Sequence, residues 1–354
     1  MKELWDESLI LYRRGKLDDA LDRMLALEAR IPTNGRLLAN IGVVYRDKGD
    51  LAHAETYLRR ACAVLPDDPA ARFNLALTLL RAGRLREGFR EYESRWRIPQ
   101  FQEQHLNLPQ PPWQGEPLAG RRILLYGEQG AGDTIQFVRY APLVRAAGGE
   151  VLLAVRPDLQ RLMTWMEGGY PVNQSLECDA QCPLMSMPLR FSTELGTIPP
   201  PARFAVPQDL TARWAARFDS RQRNVGVVWA GNPKHPNDRD RSIPAGLFAP
   251  LSHVEGVRCW SLQVGRTELE LTDFAETAAA ISALDLVVSV DTAVAHLAGS
   301  LGKPVWLLAA HACDWRWMLD RKDSPWYPSL RIFRRRYQGD WSEVIDRVVA
   351  ELKP

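Results

Sequence analysis

The sequence predicts an α + α/β protein, with an N-terminal helical solenoid followed by an α/β domain of two Rossmann-like halves. Three observations carry this. A 34-residue period runs through about residues 1–98. A proline-dense stretch over residues 99–118 interrupts it. From Arg121 onward, short apolar runs alternate with helical patterns, and the alternation restarts after about Pro207. At roughly 100–200 residues per domain, a chain of this length holds two or three domains.

The period is read first. Gly15-Lys16-Leu17-Asp18-Asp19-Ala20 recurs as Gly49-Asp50-Leu51-Ala52-His53-Ala54, and weakly as Gly83-Arg84-Leu85-Arg86-Glu87-Gly88. Pro32 recurs as Pro66, while Pro99 falls one residue short of the third position. Each unit reads as two antiparallel helices. The glycine marks the turn between them, a small residue lets them approach, and the proline stops the second helix. This pattern resembles the tetratricopeptide repeat (TPR), with three units in residues 1–98. One such unit cannot bury its apolar face alone, and about three make a stable stack. A stack of this kind presents a concave surface to a peptide or protein. It can equally serve only as a support for the next domain. The third unit departs from the pattern at Gly88. Its aromatics Phe89, Tyr92 and Trp96 fall on one helical face and are expected to pack on the next domain.

Composition excludes several function classes. The apolar fraction is 46% and the charged fraction 25%, ordinary globular usage. Lys+Arg is 45 against Asp+Glu 43, a formal charge of +2. The first 98 residues hold 18 basic and 15 acidic side chains, so +3 sits there and −1 in the rest. No surface rich enough in cations to neutralise nucleic-acid phosphates is implied. The start Met1-Lys2-Glu3-Leu4-Trp5-Asp6-Glu7 is too acidic for a signal peptide. No run of apolar residues reaches the 18 or so of a membrane span. Five cysteines are few and odd in number, which fits a cytoplasmic protein without a disulfide framework.

Residues 99–118 contain Pro99, Pro109, Pro111, Pro112 and Pro117 and read as an extended linker anchored by Trp113. Residues 119–207 form the first Rossmann-like half. Its strands are Ile123–Tyr126 and Val151–Val155, with helices near Thr134 and over Asp158–Met166, and a poorly patterned stretch runs from Tyr170 to Pro207. Residues 208–354 form the second half. Strands are expected over Val225–Ala230, Val257–Gln263, Leu284–Val290 and Pro304–Ala309. Helices are expected over Phe274–Ala283 and Thr292–Leu301, and a C-terminal helix over Trp341–Leu352. Continuous apolar strands alternating with helices imply parallel sheets covered on both faces.

Ligands of such sheets bind beyond the carboxyl ends of the strands. The run Asp285-Leu286-Val287-Val288-Ser289-Val290 delivers the chain to Asp291-Thr292, which opens a helix of small residues, Ala293-Val294-Ala295-His296. Unpaired first-turn amides and close approach suit a diphosphate. The same residues also read as a plain helix cap, with Asp291 capping and His296 packed beneath. Gly130-Ala131-Gly132-Asp133 is the matching corner of the first half, without the G-x-G-x-x-G spacing of a dinucleotide fingerprint. Asp133 fits two roles there, a general base or a helix N-cap. Lys234 and Arg241 follow the Val225–Ala230 strand and can neutralise a leaving diphosphate. Asp238-Arg239-Asp240 spells an acidic triplet but lies among Arg and Pro. Cys178 and Cys182 have no second Cys or His pair nearby. No metal site and no cofactor is expected. In the tail, Trp315 and Arg316 offer an aromatic face and a cation to a nucleotide or acceptor, while Trp326 and Trp341 read as packing.

Residues 121–340 resemble the glycosyltransferase-B (GT-B) fold of the bacterial lipopolysaccharide heptosyltransferases, the glycosyltransferase family 9 type. The residues that carry the resemblance are Gly132-Asp133, Lys234, and Asp291-Thr292 with His296-Leu297-Ala298 after three residues. The resemblance implies that Asp133 is the base. It implies that the Asp291-Thr292 corner and Lys234 hold a nucleotide-diphosphate sugar. Arg241, Ala293, Val294 and His296 join the donor side, and Gly130, Gly132 and Gln136 are further contacts. The family usually has Gly where this chain has Ala293, so a methyl narrows the approach of phosphate. The tail from Asp314-Trp315-Arg316-Trp317 to Phe333-Arg334 is similar to that of bacterial fusions of TPR units with such a domain. Some of these are associated with glycosylation of flagellin or other surface proteins.

The expected function is therefore an inverting, metal-independent glycosyltransferase. Its nucleotide sugar is a co-substrate, and its protein or peptide acceptor is recruited by the repeats. Two alternatives stand beside it. One is an interaction protein whose transferase domain has lost activity. The other is a transferase acting on lipid-linked glycan.

Overall fold

The structure is a computed structural model. It describes residues 1–353 apart from 107, 174–176, 236, 266–267 and 338. The chain divides into two compact units. One comprises residues 1–105 with 192–196 and 311–320, and the other comprises 106–191, 197–310 and 321–354.

The first unit is helical. Its six repeat helices are α1 (Lys2–Arg13), α2 (Leu17–Glu28), α3 (Gly35–Lys48), α4 (Leu51–Val64), α5 (Pro69–Arg81) and α6 (Leu85–Tyr92). The turn glycines spaced by 34 all have positive φ, at +75° for Gly15, +89° for Gly49 and +78° for Gly83. Only glycine enters that region without cost, which is why the residue recurs. Ala20 and Ala54 are fully buried where paired helices cross. The departure at Gly88 has a steric reason, since a methyl there would lie 2.7 Å from Leu80 side-chain carbons. Side-chain caps start three helices: Asn34 accepts from Leu37 N–H at 3.0 Å, Asp50 from His53 N–H at 3.1 Å and Asp68 from Ala70 N–H at 2.8 Å. A core of Leu21, Met24, Leu27, Leu37, Ile41 and Val44 joins the first two repeats.

Two later segments complete this unit. The Arg81 guanidinium donates to the carbonyls of Arg46, at 3.1 Å, and of Cys313. His311 Nε2 lies 3.0 Å from the Lys48 carbonyl oxygen. The edge of Trp315 meets the Phe89 ring at 5.5 Å and 89°, so that aromatic of the third repeat packs on a downstream segment. The Tyr92 ring lies against Phe73, with ring centroids 5.3 Å apart. Residues 99–102 differ from the extended linker that was expected. They form a short helix, because proline is tolerated in a first turn, where its missing N–H has no partner to lose.

The second unit holds two parallel sheets. In the first, β1 (Arg122–Tyr126) lies between β2 (Glu150–Ala154) and β3 (Ala180–Pro183), with Leu124 opposite Leu152 and Gln181. The second sheet contains β4 (Arg223–Val228), β5 (Val257–Ser261), β6 (Leu286–Val290), β7 (Val305–Ala309) and β8 (Leu330–Arg334). Their order is β5-β4-β6-β7-β8. The strands β3 and β8 are additions to the sequence expectation. The C-terminal helix Trp341–Leu352 buries Trp341, Val344, Ile345, Val348 and Leu352 on the core of the second sheet. Trp326 and Trp341 are both buried, in line with a packing role. The first unit is thus a stack of helix pairs, and the second an α/β unit with two parallel sheets.

Glu276 ties the pieces of this unit together. It sits on helix Phe274–Ala283 of the second half. It accepts from Trp214 Nε1 at 2.7 Å and from Arg213, both on the helix Gln208–Ala215, and from Arg161 of the first half at 3.2 Å.

Candidate functional site

The sheet order places the site. In the second sheet the winding reverses between β4 and β6, whose carboxyl ends therefore flank the crevice where ligands of open α/β sheets bind. β4 is followed by Trp229-Ala230-Gly231, and β6 by Asp291-Thr292.

Arg241 links the two strand ends. Its Nη1 donates to the Asp291 carbonyl at 3.1 Å, and its Nε to Asp238 Oδ1 at 3.2 Å. The guanidinium lies against Gly231, where a side-chain carbon would come within 2.6 Å of its Cζ. Any residue but glycine would push the cation away. Gly231 N–H donates to Ser242 Oγ at 3.1 Å, and Ser242 Oγ donates to Asp238 Oδ1 at 2.9 Å. Ala230 N–H donates to Gln263 Oε1 at 3.0 Å. Asp238 thus fastens a loop, and Asp238–Arg241 is one turn of helix. Among the described residues, no cluster of three or more His, Cys, Asp or Glu could hold a metal ion. Lys234 is exposed on the same loop, and its backbone N–H donates to Asn232 Oδ1 at 3.0 Å.

The N-cap of helix Ala293–Ser300 is Thr292 rather than Asp291, and the Thr292 side chain makes no cap hydrogen bond. Ser289 Oγ donates to the Val290 carbonyl, so the Thr292 hydroxyl 3.1 Å away donates to Ser289. The Thr292 hydroxyl is thus turned to Ser289 rather than onto the first-turn amides, the groups of a helix start that suit an anion. Ala293 is half-buried and Val294 buried at that turn. His296 is buried beneath them, with Nδ1 3.0 Å from the Tyr327 hydroxyl.

The matching corner of the first sheet packs against this one. Helix Ala131–Phe137 starts directly after Gly130, and its Asp133 Oδ2 accepts from Gly130 N–H at 2.7 Å. Asp133 is half-buried, Gly130 exposed, and Gln136 fully buried behind them. Gly132 is the contact point. A methyl there would lie 2.8 Å from His296 Cδ2 and 3.3 Å from Ala293 Cα.

The structure thus brings Gly132, Ala293 and His296 into contact, and separately Arg241 and Asp291. Trp315 and Arg316 belong instead to the helical unit. Both are buried there, and Arg316 Nη1 donates to Asp314 Oδ1 at 2.9 Å. Sequence reasoning missed Gly231, Ser242 and Gln263. A glycine at the end of an apolar strand was the available signal for the first. The others serve elements distant in the chain and carry no local mark.

A tetratricopeptide repeat model matches residues 6–69 and 40–102. The model of glycosyltransferase family 9 (heptosyltransferase) matches residues 260–318, which include Asp291–His296. The chain is 28% identical over 335 residues to protein FlbA of Caulobacter vibrioides, covering 81% of this chain and 56% of that protein. It therefore spans about half the length of the curated relative it matches. Similar solved structures include a glycosyl transferase family 9 protein of Veillonella parvula, at 10% identity and a TM-score of 0.46 over 63% of this chain and 88% of that one. Another is E. coli ADP-heptose lps heptosyltransferase II, at 13% identity and a TM-score of 0.47 over 65% and 97%. The Yersinia enterocolitica chaperone SycD with a peptide of YopD matches 29% of this chain and 81% of that one, at 22% identity and a TM-score of 0.28. Among the described residues, no helix is long and apolar enough to cross a membrane.

Proposed function

We propose that this chain, which joins tetratricopeptide repeats to a glycosyltransferase family 9 domain, transfers a sugar from a nucleotide-diphosphate donor to a protein or peptide held by its repeats. The observation that carries the reading is the meeting of two strand-to-helix corners at Gly132, Ala293 and His296. One corner offers a helix start whose Thr292 side chain does not cap it, with Arg241 fixed beside it, suited to a diphosphate. The other offers a half-buried carboxylate, Asp133.

In the proposed reaction, an acceptor hydroxyl or amide attacks the anomeric carbon as its bond to the diphosphate oxygen breaks. Asp133 takes the acceptor's proton. The electron pair leaves with the nucleoside diphosphate, whose charge is met by the Thr292–Ala295 amides, Arg241 and Lys234 rather than by a metal. Attack from the face opposite the leaving group inverts the anomeric centre. Flagellin or another surface protein is the class of acceptor this reading favours, and the cytoplasm is where it places the reaction.

The first test is thermal unfolding against UDP, GDP, ADP, CDP and dTDP, with and without Mg²⁺. A nucleotide at about 100 times its Kd adds roughly 2.7 kcal/mol. One nucleotide raising the midpoint equally with and without Mg²⁺ is the expected result. No shift with any of them would favour an interaction protein with an inactive transferase domain. Asp133→Asn then tests the base. Asparagine keeps an oxygen for the Gly130 N–H, so the turn survives while turnover falls about 10²–10⁴-fold and nucleotide binding persists. Near-full turnover would remove Asp133 from the mechanism.

A further inference from the structure

Gln263 follows β5 in a segment that packing holds in place. Leu262 N–H donates to the Val227 carbonyl at 2.9 Å, which carries the β4–β5 ladder one step past the strand. The Leu262 side chain is buried, 2.7 Å from where a Gly226 Cβ would stand. Gln263 N–H donates to Ser261 Oγ at 3.3 Å, and Gln263 Oε1 accepts from Ala230 N–H at 3.0 Å.

That last bond decides which way the carboxamide is turned. A backbone N–H only donates, so the oxygen faces Ala230 and the NH₂ faces away from it. Among the described residues no acceptor meets those two hydrogens, and Gln263 is half-buried, so they are left to water. The next residue, Val264, is 83% exposed. A fixed donor and an apolar side chain thus stand together in water at the carboxyl end of the second sheet.

Their place in the sheet says what they can meet. Val228 of β4 pairs with Ser289 of β6, so Ala230 and Asp291 stand equally far past paired residues. Gln263 lies on the other side of β4 from Asp291. With strands about 4.8 Å apart, the ends of β5 and β6 are about 10 Å from one another. A diphosphate within the roughly 3 Å hydrogen-bond reach of the Thr292–Ala295 amides cannot share an oxygen with Gln263. The donor's sugar points to Asp133 on the first half, and the nucleoside is the part left to extend across β4.

We infer that Gln263 is a specificity-determining residue of the donor site. Its NH₂ donates to an oxygen or ring nitrogen of the nucleobase, and Val264 gives the base an apolar contact. The inference rests on the proposed function, since it needs a nucleotide at the β4–β6 crevice.

The test is calorimetric titration of the full-length protein with UDP, GDP, ADP, CDP and dTDP at 0.15 M salt. Gln263→Glu keeps an oxygen for Ala230 N–H and turns the free donor into an acceptor. The preferred nucleotide should bind about tenfold more weakly or worse. The others should lose about twofold or less, the effect of a screened charge about 10 Å from the diphosphate. If Gln263→Glu does not fold, Gln263→Met, which has no donor, is titrated in its place with the same tenfold expectation. An unchanged affinity for the preferred nucleotide overturns the inference. So does an equal loss for all five, which would put Gln263 on the ribose or the phosphates. Equal affinity of the unmodified protein for all five overturns it too and leaves the proposed function standing. No binding of any of them sinks the proposed function and this inference with it.

Discussion

Gly132→Ala puts the contact between the two corners to a direct test. The added methyl carbon would lie 2.8 Å from His296 Cδ2 and 3.3 Å from Ala293 Cα. Ordinary carbon–carbon contact is about 3.5–4.0 Å, so the overlap with the ring is about 0.7 Å or more. A flexible side chain could yield, but His296 cannot. It is 5% exposed and tied to a fully buried Tyr327. The second atom is backbone, so relief requires the helix Ala131–Phe137 to move off Ala293. Overpacking of this kind costs about 1–3 kcal/mol. At about 2–4 °C per kcal/mol for a unit of this size, the melting midpoint should fall by roughly 2–12 °C. Gly246→Ala is the control, because a methyl there meets nothing within 4 Å and its φ is not positive. It should be neutral, or stabilising by about 0.4–1 kcal/mol. Both variants are compared by calorimetry and urea unfolding. Equal stability of Gly132→Ala and Gly246→Ala would refute the contact, and with it the geometry of the site.

Two other perturbations read separate parts of the unit. Glu276→Ala removes the acceptor of the buried Trp214 N–H and the partner of Arg161 and Arg213. Those two arginines keep 44% and 56% side-chain exposure and can return to water. The loss should therefore be about 2–3 kcal/mol by urea unfolding, below the roughly 3–5 kcal/mol of a fully buried pair. A loss under about 1 kcal/mol would contradict the role of Glu276 as a tie. Burial pushes the Cys259 thiol from the usual 9.0 up to about 11. At pH 8 its thiolate fraction is about 10⁻³, so alkylation should run about 100-fold slower than for an ordinary thiol. Because the folded value is the higher one, the unfolded chain loses this proton first. The contribution to stability is present below pH 9 and declines toward pH 11. Rapid alkylation at pH 8, read by peptide mass mapping, would refute this.

Much of the fold was legible because it is periodic. Gly15, Gly49 and Gly83 keep their spacing because each turn needs a positive φ, and a local need leaves a local mark. The strands β1, β2 and β4–β7 were readable as apolar runs since both faces of each sheet are covered. β3 was not, because four residues ending in Pro183 lack any period. β8 was not, because Arg331 and Arg334 interrupt its apolar residues at what proves to be a sheet edge. The helix expected near Thr134 begins three residues earlier, at Ala131, because glycine at Gly130 left its cap unmarked.

The candidate site divides along the same line. The strand-to-helix corners could be read from the chain alone, since Asp291-Thr292 and Gly130–Asp133 are contiguous and their chemistry follows from backbone geometry. The repeat number and the parallel character of the sheets could be read the same way. Packing alone settled which corner meets which, that Trp315 lies on Phe89, that Arg241 reaches the Asp291 carbonyl, and that Tyr327 stands behind His296. Those relations join residues far apart in the chain. No propensity or spacing encodes them, because each depends on volume and on proton donors supplied by segments that become neighbours only when the chain is packed.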